Sequence, residues 1–207
     1  MQLTRGTLRA AVTELCARDP LLAEITARWG APPLWARQPG FPTLVRIILE
    51  QQVSLAAAAT LYKRLVGHAG GMTPRNIAAL GTDGLREFGL TRQKSAFCHG
   101  LASRVLDGSL DLAAVSRAPD AEGRAMLLAV PGLGPWSVDI YFLMALRRPD
   151  IWPQGDLALA VQLRELLQLP SNPSRDDQQR IAERWAPWRS IAARIVWTEY
   201  LGARGRL

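Results

Sequence analysis

The sequence predicts a fold built almost entirely of helices. Apolar residues recur at spacings of three and four along most of the chain, and the apolar–polar alternation that marks a strand is almost absent. Capping residues and helix-ending Pro and Gly residues fall at the borders of these periodic stretches. The 207 residues, 48% of them hydrophobic, are enough for one continuous core or two small lobes.

Four helices are predicted before residue 68. Residues 7–18 place their apolar side chains on one stripe, and Pro20 opens a second helix that runs on to a break at two consecutive prolines. Residues 41–52 form the third helix. Ser54 is the predicted N-cap of the fourth, which Gly67 ends.

Further helices follow with short loops between them. Thr73-Pro74 begins a short helix that Gly81 closes. The remaining predicted helices are residues 92–107, 120–129, 135–146 and 157–169, and two more that run to about residues 185 and 201. No internal repeat or low-complexity tract stands out.

The charge balance indicates a polyanionic partner. Lys and Arg number 25 against 18 Asp and Glu, which gives a formal net charge of +7. Only Lys63 and Lys94 are lysines, so the other cations are all arginines. Nucleic acid is therefore the first candidate partner.

Two other classes of protein are disfavoured. Cys16 and Cys98 stand far apart and without a CxxC spacing, which argues against a zinc or iron–sulfur site built on thiolates. The N-terminus carries charges throughout, and the longest apolar stretches, such as residues 137–146, are too short for a membrane span. We therefore expect a soluble cytoplasmic protein.

The most informative stretch is a predicted helix–turn–helix over residues 128–139. The turn contains Gly132 and Gly134, which permit a backbone that no side chain could follow. The amides of Leu133, Gly134 and the next helix N-terminus would then point outward and bind a phosphate. An ordinary corner between two helices also favours Gly and Pro, so that alternative stays open.

Asp156 is the second candidate, because it follows a proline-bearing loop and directly precedes an apolar helix. A carboxylate at this position is stabilised as the anion by the helix N-terminus, although an ordinary N-cap has the same pattern. Of the 7 tryptophans, Trp185 and Trp188 read as core residues. The paired amides of Gln51 and Gln52 lie at the junction between two helices. Glutamines at such a position are more often part of the solvated surface than residues that recognise bases.

Taken together, these stretches resemble the helix-hairpin-helix DNA glycosylases, in particular the 3-methyladenine DNA glycosylase II branch that repairs alkylated DNA. The resemblance is carried by the order and spacing of six stretches: residues 19–41, 47–65, 89–102, 127–146, the loop that leads to Asp156, and residues 183–202. It implies an all-α fold of two helical lobes with a DNA cleft between them. The additional N-terminal α/β domain of longer relatives looks absent.

The resemblance also implies a division of the chain. The central lobe would span residues 40–148 and include the hairpin at about residues 125–146. The other lobe would combine residues 1–39 with residues 149–207 and carry the catalytic carboxylate. The family acts as monomers on double-stranded DNA, in bacteria in the cytoplasm and on the nucleoid.

Carried over position by position, the resemblance assigns a role to most of the candidate residues. Asp156 would be the catalytic carboxylate, and Trp136, Trp197, Ile140 and Leu157 would line the base pocket. The positions that fill the gap left by a flipped base fall on Gln51 and Gln52. The phosphate-binding hairpin would consist of Pro131, Gly132, Leu133, Gly134 and Trp136. A sodium or potassium ion would bind the backbone carbonyls of Leu128, Val130 and Leu133.

This sequence departs from some relatives in three respects. Gln52 stands where some relatives place a leucine wedge. Ile140 and Leu157 stand where some have tyrosine, which suggests a less polar and roomier pocket. Trp136 occupies the position of the Schiff-base lysine of bifunctional relatives.

The implied function is a monofunctional glycosylase without lyase activity that removes alkylated purines such as 3-methyladenine and 7-methylguanine during base excision repair, with no required cofactor. Two alternatives stay open. One is a glycosylase for deaminated or oxidised bases, which would need a proton donor. The other is a non-catalytic helix-hairpin-helix DNA-binding protein, which would need neither Asp156 nor a tryptophan pocket.

Overall fold

The computed structural model describes residues 2–207 and confirms the all-helical fold, since it has no strand within that range. The helices are α1 (Arg5–Arg18), α2 (Pro20–Trp29), α3 (Phe41–Glu50), α4 (Leu55–Ala69), α5 (Pro74–Glu87), α6 (Arg92–Leu106), α7 (Leu112–Arg117), α8 (Asp120–Leu128), α9 (Pro135–Ile140), α10 (Leu157–Leu166), α11 (Arg175–Glu183) and α12 (Arg189–Gly202). A π-helical segment, Tyr141–Ala145, continues directly from α9.

Polar N-caps begin several helices, as the sequence predicts. The side chains of Asp19, Ser54 and Thr73 each accept a hydrogen bond from a backbone amide in the first turn of α2, α4 and α5. In α2 and α5 a proline follows the cap, where its missing N–H costs no hydrogen bond. These local signals fix where the helices begin.

Of two glycines predicted to end helices, only one does so. α4 continues through Gly67 to Ala69, and it ends at Gly70, whose φ of 68° supplies the left-handed turn. Gly81, with φ 64° and ψ 178°, is non-helical and ends the first helical segment of α5 as predicted, and a second segment follows across this kink to Glu87. A glycine ends a helix only where the backbone takes up a non-helical conformation.

Other predicted boundaries also shift. α3 ends at Glu50 rather than at residue 52, and α10 ends at Leu166 rather than at residue 169. The predicted helix over residues 135–146 is α-helical only as far as Ile140, where the π-helical segment begins. The short helix α7 was not predicted, although its N-cap Asp111 is the kind of residue that marks one.

The chain divides into two compact units. The terminal unit comprises Met1–Ala36 and Phe142–Leu207, and the central unit comprises Arg37–Tyr141. In the terminal unit α12 is the innermost helix: every residue from Ser190 to Glu199 is buried, and the helix packs against α1, α2, α10 and α11. A helix buried on all sides in this way forms the core of its unit.

The central unit contains α3 to α9. Helix α6 packs against α5 and α3, and α3 also contacts α4 and α9. Helix α8 contacts α7 and α9, so the hairpin is joined to the rest of the unit through both of its helices.

The two tryptophans predicted as core residues differ. Trp185 is fully buried and donates from its indole Nε1 to Asp19 Oδ2 at 2.6 Å. Trp188 is only partly buried, because its Nε1 reaches outward to Glu14 Oε2 at 2.7 Å, so the prediction for Trp188 is wrong. No helix within residues 2–207 combines the length and the apolarity needed to cross a bilayer.

Candidate active site

The loop that precedes α10 is anchored on the start of α12. Ser190 Oγ donates to the carbonyl of Arg148 at 2.7 Å and accepts the amide of Ile151 at 2.9 Å. Asp150 pairs with Arg189 through two parallel hydrogen bonds of 2.8 and 2.7 Å. The hydrogen bond from Asp150 raises the pKa of Arg189 above its usual value, which reflects a firmly held pair. The loop therefore delivers Asp156 to a defined place in the terminal unit.

Asp156 is the N-cap of α10, as predicted. Its Oδ1 accepts the amide of Leu159 at 3.0 Å, and the residue is only 8% exposed. The helix N-terminus directs amide groups and the positive end of its dipole toward this carboxylate. The side chain of Asp156 is thus held in a defined position at the start of α10.

Trp197 contacts the same carboxylate oxygen. Its indole Nε1 donates to Asp156 Oδ1 at 3.1 Å, and the side chain of Trp197 is held on α12 with 8% of the residue exposed. The resemblance implies a stacking surface at Trp197, and this role stays a prediction. In the structure its N–H group orients the carboxylate, and little of the residue is exposed. Leu157, directly after Asp156, is 70% exposed.

The central unit holds the hairpin of α8, the turn at residues 129–134, and α9. Gly132 has φ 92°, and a Cβ atom built there would lie 2.4 Å from Cγ of Phe97, so only glycine fits. Gly134 has φ −80°, a conformation open to any residue, so the prediction that both glycines are required by the backbone is wrong.

The amides of the turn are not all available. The amide of Leu133 donates to the carbonyl of Val130 at 3.1 Å, so it closes the turn rather than pointing outward as predicted. Helix α9 begins at Gly134 without a side-chain cap, and Gly134 and Pro131 are exposed. An anion-binding role of the hairpin therefore rests on Gly134 and the start of α9, and not on Leu133.

A buried ion pair joins the two helices of the hairpin. Arg124 of α8 pairs with the carboxylate of Asp139 on α9, whose side chain is fully buried. The pocket residues predicted in this unit lie on the same helix: Trp136 is partly exposed in its first turn, and Ile140 at its end is 3% exposed. Ile140 is thus part of the core of the central unit.

The two glutamines differ in what they contact. Gln51 Nε2 donates to the carbonyl of Gly132 at 2.8 Å and to Ser137 Oγ at 2.9 Å, so its amide is bound to the hairpin. Gln52 is exposed and has φ 57°, a left-handed conformation that projects it from the end of α3. Of the two predicted gap-filling residues, only Gln52 has an exposed side chain.

Lys94 supports this junction, a role that sequence reasoning missed. Its Nζ on α6 donates to the carbonyl of Leu49 in the last turn of α3 at 2.8 Å and to the carbonyl of the C-cap residue Gln51 at 2.7 Å. Burial lowers the pKa of Lys94 from its usual value. Because Lys94 and Gln51 are far apart in sequence, only the fold brings them together.

Within residues 2–207 no group of three or more His, Cys, Asp and Glu side chains could hold a metal ion. The buried thiol of Cys98 has its pKa raised to about 12 by burial, so it stays protonated and unreactive.

Comparisons with known proteins place the chain in a family. The family model of the HhH-GPD superfamily of base excision DNA repair proteins matches residues 45–187. The DNA-3-methyladenine glycosylase of Bacillus subtilis is 26% identical over 202 residues, which cover 89% of this chain and 65% of that protein. The DNA-3-methyladenine glycosylase 2 of Escherichia coli is 29% identical over 189 residues, which cover 82% of this chain and 62% of that protein.

The fold also matches a solved structure. A 3-methyladenine DNA glycosylase of Schizosaccharomyces pombe in complex with abasic DNA superposes with a TM-score of 0.81 at 22% identity. The match covers 94% of this chain and 97% of that chain. The chain thus spans less than two thirds of the length of the two bacterial relatives but nearly all of this fold.

Proposed function

Because the chain belongs to the HhH-GPD superfamily of base excision DNA repair proteins, we propose that it is a monofunctional DNA glycosylase that hydrolyses the N-glycosidic bond of alkylated purines in duplex DNA. The names of its curated relatives, DNA-3-methyladenine glycosylases, support this substrate class. The observation that carries the proposal is the buried carboxylate of Asp156, fixed by the start of α10 and by the indole of Trp197.

The proposed chemistry needs one anion and little acid catalysis. A purine alkylated at N3 or N7 is cationic, so when the glycosidic bond breaks its electron pair passes to the base, which leaves neutral. The sugar acquires oxocarbenium character, and the carboxylate of Asp156 stabilises that positive charge. Water then bonds to C1′ and releases a proton. No cofactor takes part in these steps.

The damaged nucleotide must leave the base stack before this reaction, at a cost of a few kcal/mol. We assign stacking of the cationic base to Trp136, since cation–π attraction to an indole contributes on the order of 1–2 kcal/mol when desolvated. Gln52 fills the gap in the duplex, and Gln51 holds the hairpin against the end of α3. The enzyme acts as a monomer on double-stranded DNA in the cytoplasm.

The hairpin binds a DNA phosphate in this proposal, through Gly134 and the start of α9. A sodium or potassium ion on the carbonyls of Leu128, Val130 and Leu133 would add positive charge at the phosphate. Carbonyl oxygens suit such a hard cation, and the Val130 carbonyl keeps a second lone pair beside its bond to Leu133.

The proposal for the hairpin is tested by two variants of Gly134. Gly134→Pro removes the amide, whereas Gly134→Ala keeps it, and no other atom lies within 4 Å of the added Cβ. We expect Gly134→Pro alone to lower the affinity for abasic duplex DNA, measured by fluorescence anisotropy. If both variants bind abasic DNA with equal affinity and have unchanged melting temperatures, the amide of Gly134 does not contribute to DNA binding.

The substrate class is tested by base release. Purified protein is incubated with methylated duplex DNA, and with duplexes that contain hypoxanthine or 8-oxoguanine, and the released bases are quantified. We expect release of 3-methyladenine and 7-methylguanine, unaffected by EDTA. Release from the hypoxanthine or 8-oxoguanine duplex alone would show that the substrates of the enzyme are neutral bases. Tight binding to abasic DNA with no release from any duplex would indicate a binding protein instead.

We also expect no strand-cleaving lyase activity. Neither of the two lysines lies in the hairpin or next to Asp156 in the sequence. Lys94 Nζ donates to two backbone carbonyls, and Lys63 is exposed on α4. Borohydride reduction during turnover is expected to trap no enzyme–DNA adduct. A stoichiometric adduct would show that an amine attacks the sugar.

A further inference from the structure

We propose that Trp35 is a positioning residue that holds the indole of Trp197 on the carboxylate of Asp156. This inference rests on the proposed glycosylase function, because it concerns the anion on which that function depends. All of the residues involved lie in the terminal unit. Trp35 acts through Trp197, and no contact between Trp35 and the substrate is part of the proposal.

Trp35 contacts Trp197 edge-on. The ring centroids are 6.2 Å apart and the ring planes meet at 71°, which is the T-shaped geometry that aromatic pairs prefer. Trp197 in turn donates its only N–H group to Asp156 Oδ1. Since a hydrogen bond from an indole requires the ring to hold one orientation, the edge contact with Trp35 fixes the donor of that bond.

The backbone of Trp35 is held in a conformation that a tryptophan rarely adopts. It has φ 44°, in the left-handed region, although it is not a glycine and lies in no helix. Such a conformation persists only where the surroundings impose it. An anchor next to Trp35 is therefore required.

Arg194 supplies that anchor. Its fully buried guanidinium donates from Nε to the carbonyl of Leu34 at 3.0 Å, and from its two Nη atoms to the carbonyls of Ser190 at 2.9 Å and Leu143 at 2.8 Å. Arg194 lies on α12, one turn before Trp197. The segment that carries Trp35 is thus tied to the helix that carries Trp197.

The side chain of Trp35 is not packed on every side. It borders a cavity of about 620 Å³ whose walls include Arg5, Arg9 and Pro32, but neither Trp197 nor Asp156. The ring of Trp35 is therefore fixed by its contact with Trp197 and by the Leu34 anchor, rather than by a closed core. Removing the ring would leave Trp197 with space in which to turn away from Asp156.

Four proteins test the proposal: Trp35→Leu, Trp35→Phe, Trp197→Phe and the double variant Trp35→Leu/Trp197→Phe. The first measurement is the indole ¹H–¹⁵N spectrum without DNA, in which Trp197→Phe identifies the Trp197 signal. In Trp35→Leu we expect this signal to shift and its proton to exchange faster with water. Trp35→Phe, which keeps an aromatic edge, restores the wild-type signal.

The second measurement is the single-turnover rate of base release from methylated duplex DNA, beside the affinity for abasic DNA. We expect Trp35→Leu to slow release about three- to tenfold, and Trp35→Phe to stay within about twofold of wild type. The double variant is expected to be no slower than Trp197→Phe alone, because both changes remove the same hydrogen bond. Abasic DNA affinity is expected to stay within about twofold.

An unchanged Trp197 signal in Trp35→Leu would overturn the proposal, and so would rate losses that multiply in the double variant. If Trp35→Leu does not fold, Trp35→Phe with a wild-type melting temperature but an altered Trp197 signal would also contradict it. The indole spectrum needs no activity. A wild-type protein that releases no base would therefore defeat the proposed function and leave the test of Trp35 standing.

Discussion

Gly132 is the residue at which the backbone and the packing of the hairpin are both most demanding. Any other residue there must adopt φ 92° and place a Cβ atom 2.4 Å from Phe97. We expect Gly132→Ala to lower the free energy of unfolding by roughly 2–4 kcal/mol, as the sum of left-handed strain and overpacking. Urea-induced unfolding followed by circular dichroism measures the change.

Gly134 provides the matched control for that prediction. Its φ of −80° suits any residue, and an added Cβ would meet no other atom within 4 Å. Gly134→Ala is therefore expected to leave the free energy of unfolding within about 0.5 kcal/mol of wild type. Equal losses in the two variants would contradict the geometry of the turn described above.

Single residues also show how far local sequence reaches. The cap at Asp156 could be predicted, because a carboxylate between a loop and an apolar helix is a local pattern. Its bond from Trp197 could not, since the two residues are 41 positions apart and meet only in the folded chain. The contact of Gln51 with the hairpin escaped prediction for the same reason.

Helix α6 is the element that supports both the end of α3 and the hairpin turn. Its Lys94 donates to the carbonyls of Leu49 and Gln51, and its Phe97 lies against Gly132. Lys94→Met keeps the length of the side chain but removes the donor. We expect it to lower the free energy of unfolding by about 1–3 kcal/mol, because two part-buried carbonyls lose a charged donor. Urea-induced unfolding again measures the change.

Lys63→Met is the control for this element, because Lys63 is exposed on α4. It removes the same formal charge, so it separates the loss of the helix-capping contacts from the loss of charge itself. Stability within about 0.5 kcal/mol of wild type is expected for Lys63→Met. A Lys94→Met protein as stable as Lys63→Met would show that Lys94 does not hold the end of α3.

The π-helical segment after α9 is an element that hydrophobic periodicity does not predict. Residues 137–143 are all buried, so the stretch has no polar face from which a helical phase could be read. The pattern predicts one continuous helix, and the change at Tyr141 leaves no trace in it. The amphipathic helices, by contrast, were found close to their observed bounds.

The whole molecule carries a net charge of +7, because Lys and Arg outnumber Asp and Glu. This positive charge is the feature that acts at the longest range. We expect binding to undamaged duplex DNA to weaken steeply between 50 and 200 mM salt, with a slope of log K against log salt steeper than about −3. Anisotropy titrations at four salt concentrations give this slope. Binding that does not change with salt would contradict an electrostatic DNA interface.

At the scale of the whole molecule, hydrophobic periodicity does not predict which helices assemble into each unit. The terminal unit joins α1 and α2 to α10, α11 and α12 through contacts such as Arg28 to Glu199, which are 171 positions apart and bond at 2.8 Å. Hydrophobic patterns indicate most of the helices but not their partners. That information comes from side chains that meet across the whole chain.

The central claim, that the charge of Asp156 drives base release, is tested most directly by Asp156→Asn. Asparagine is an equally good N-cap, and its amide oxygen still accepts from Leu159 and Trp197, so the change removes charge and little else. The measurement is the single-turnover release of 3-methyladenine from methylated duplex DNA, beside the affinity for abasic DNA. We predict release at least about a hundredfold slower, with affinity within about threefold of wild type. Release at the wild-type rate would show that another group stabilises the sugar cation.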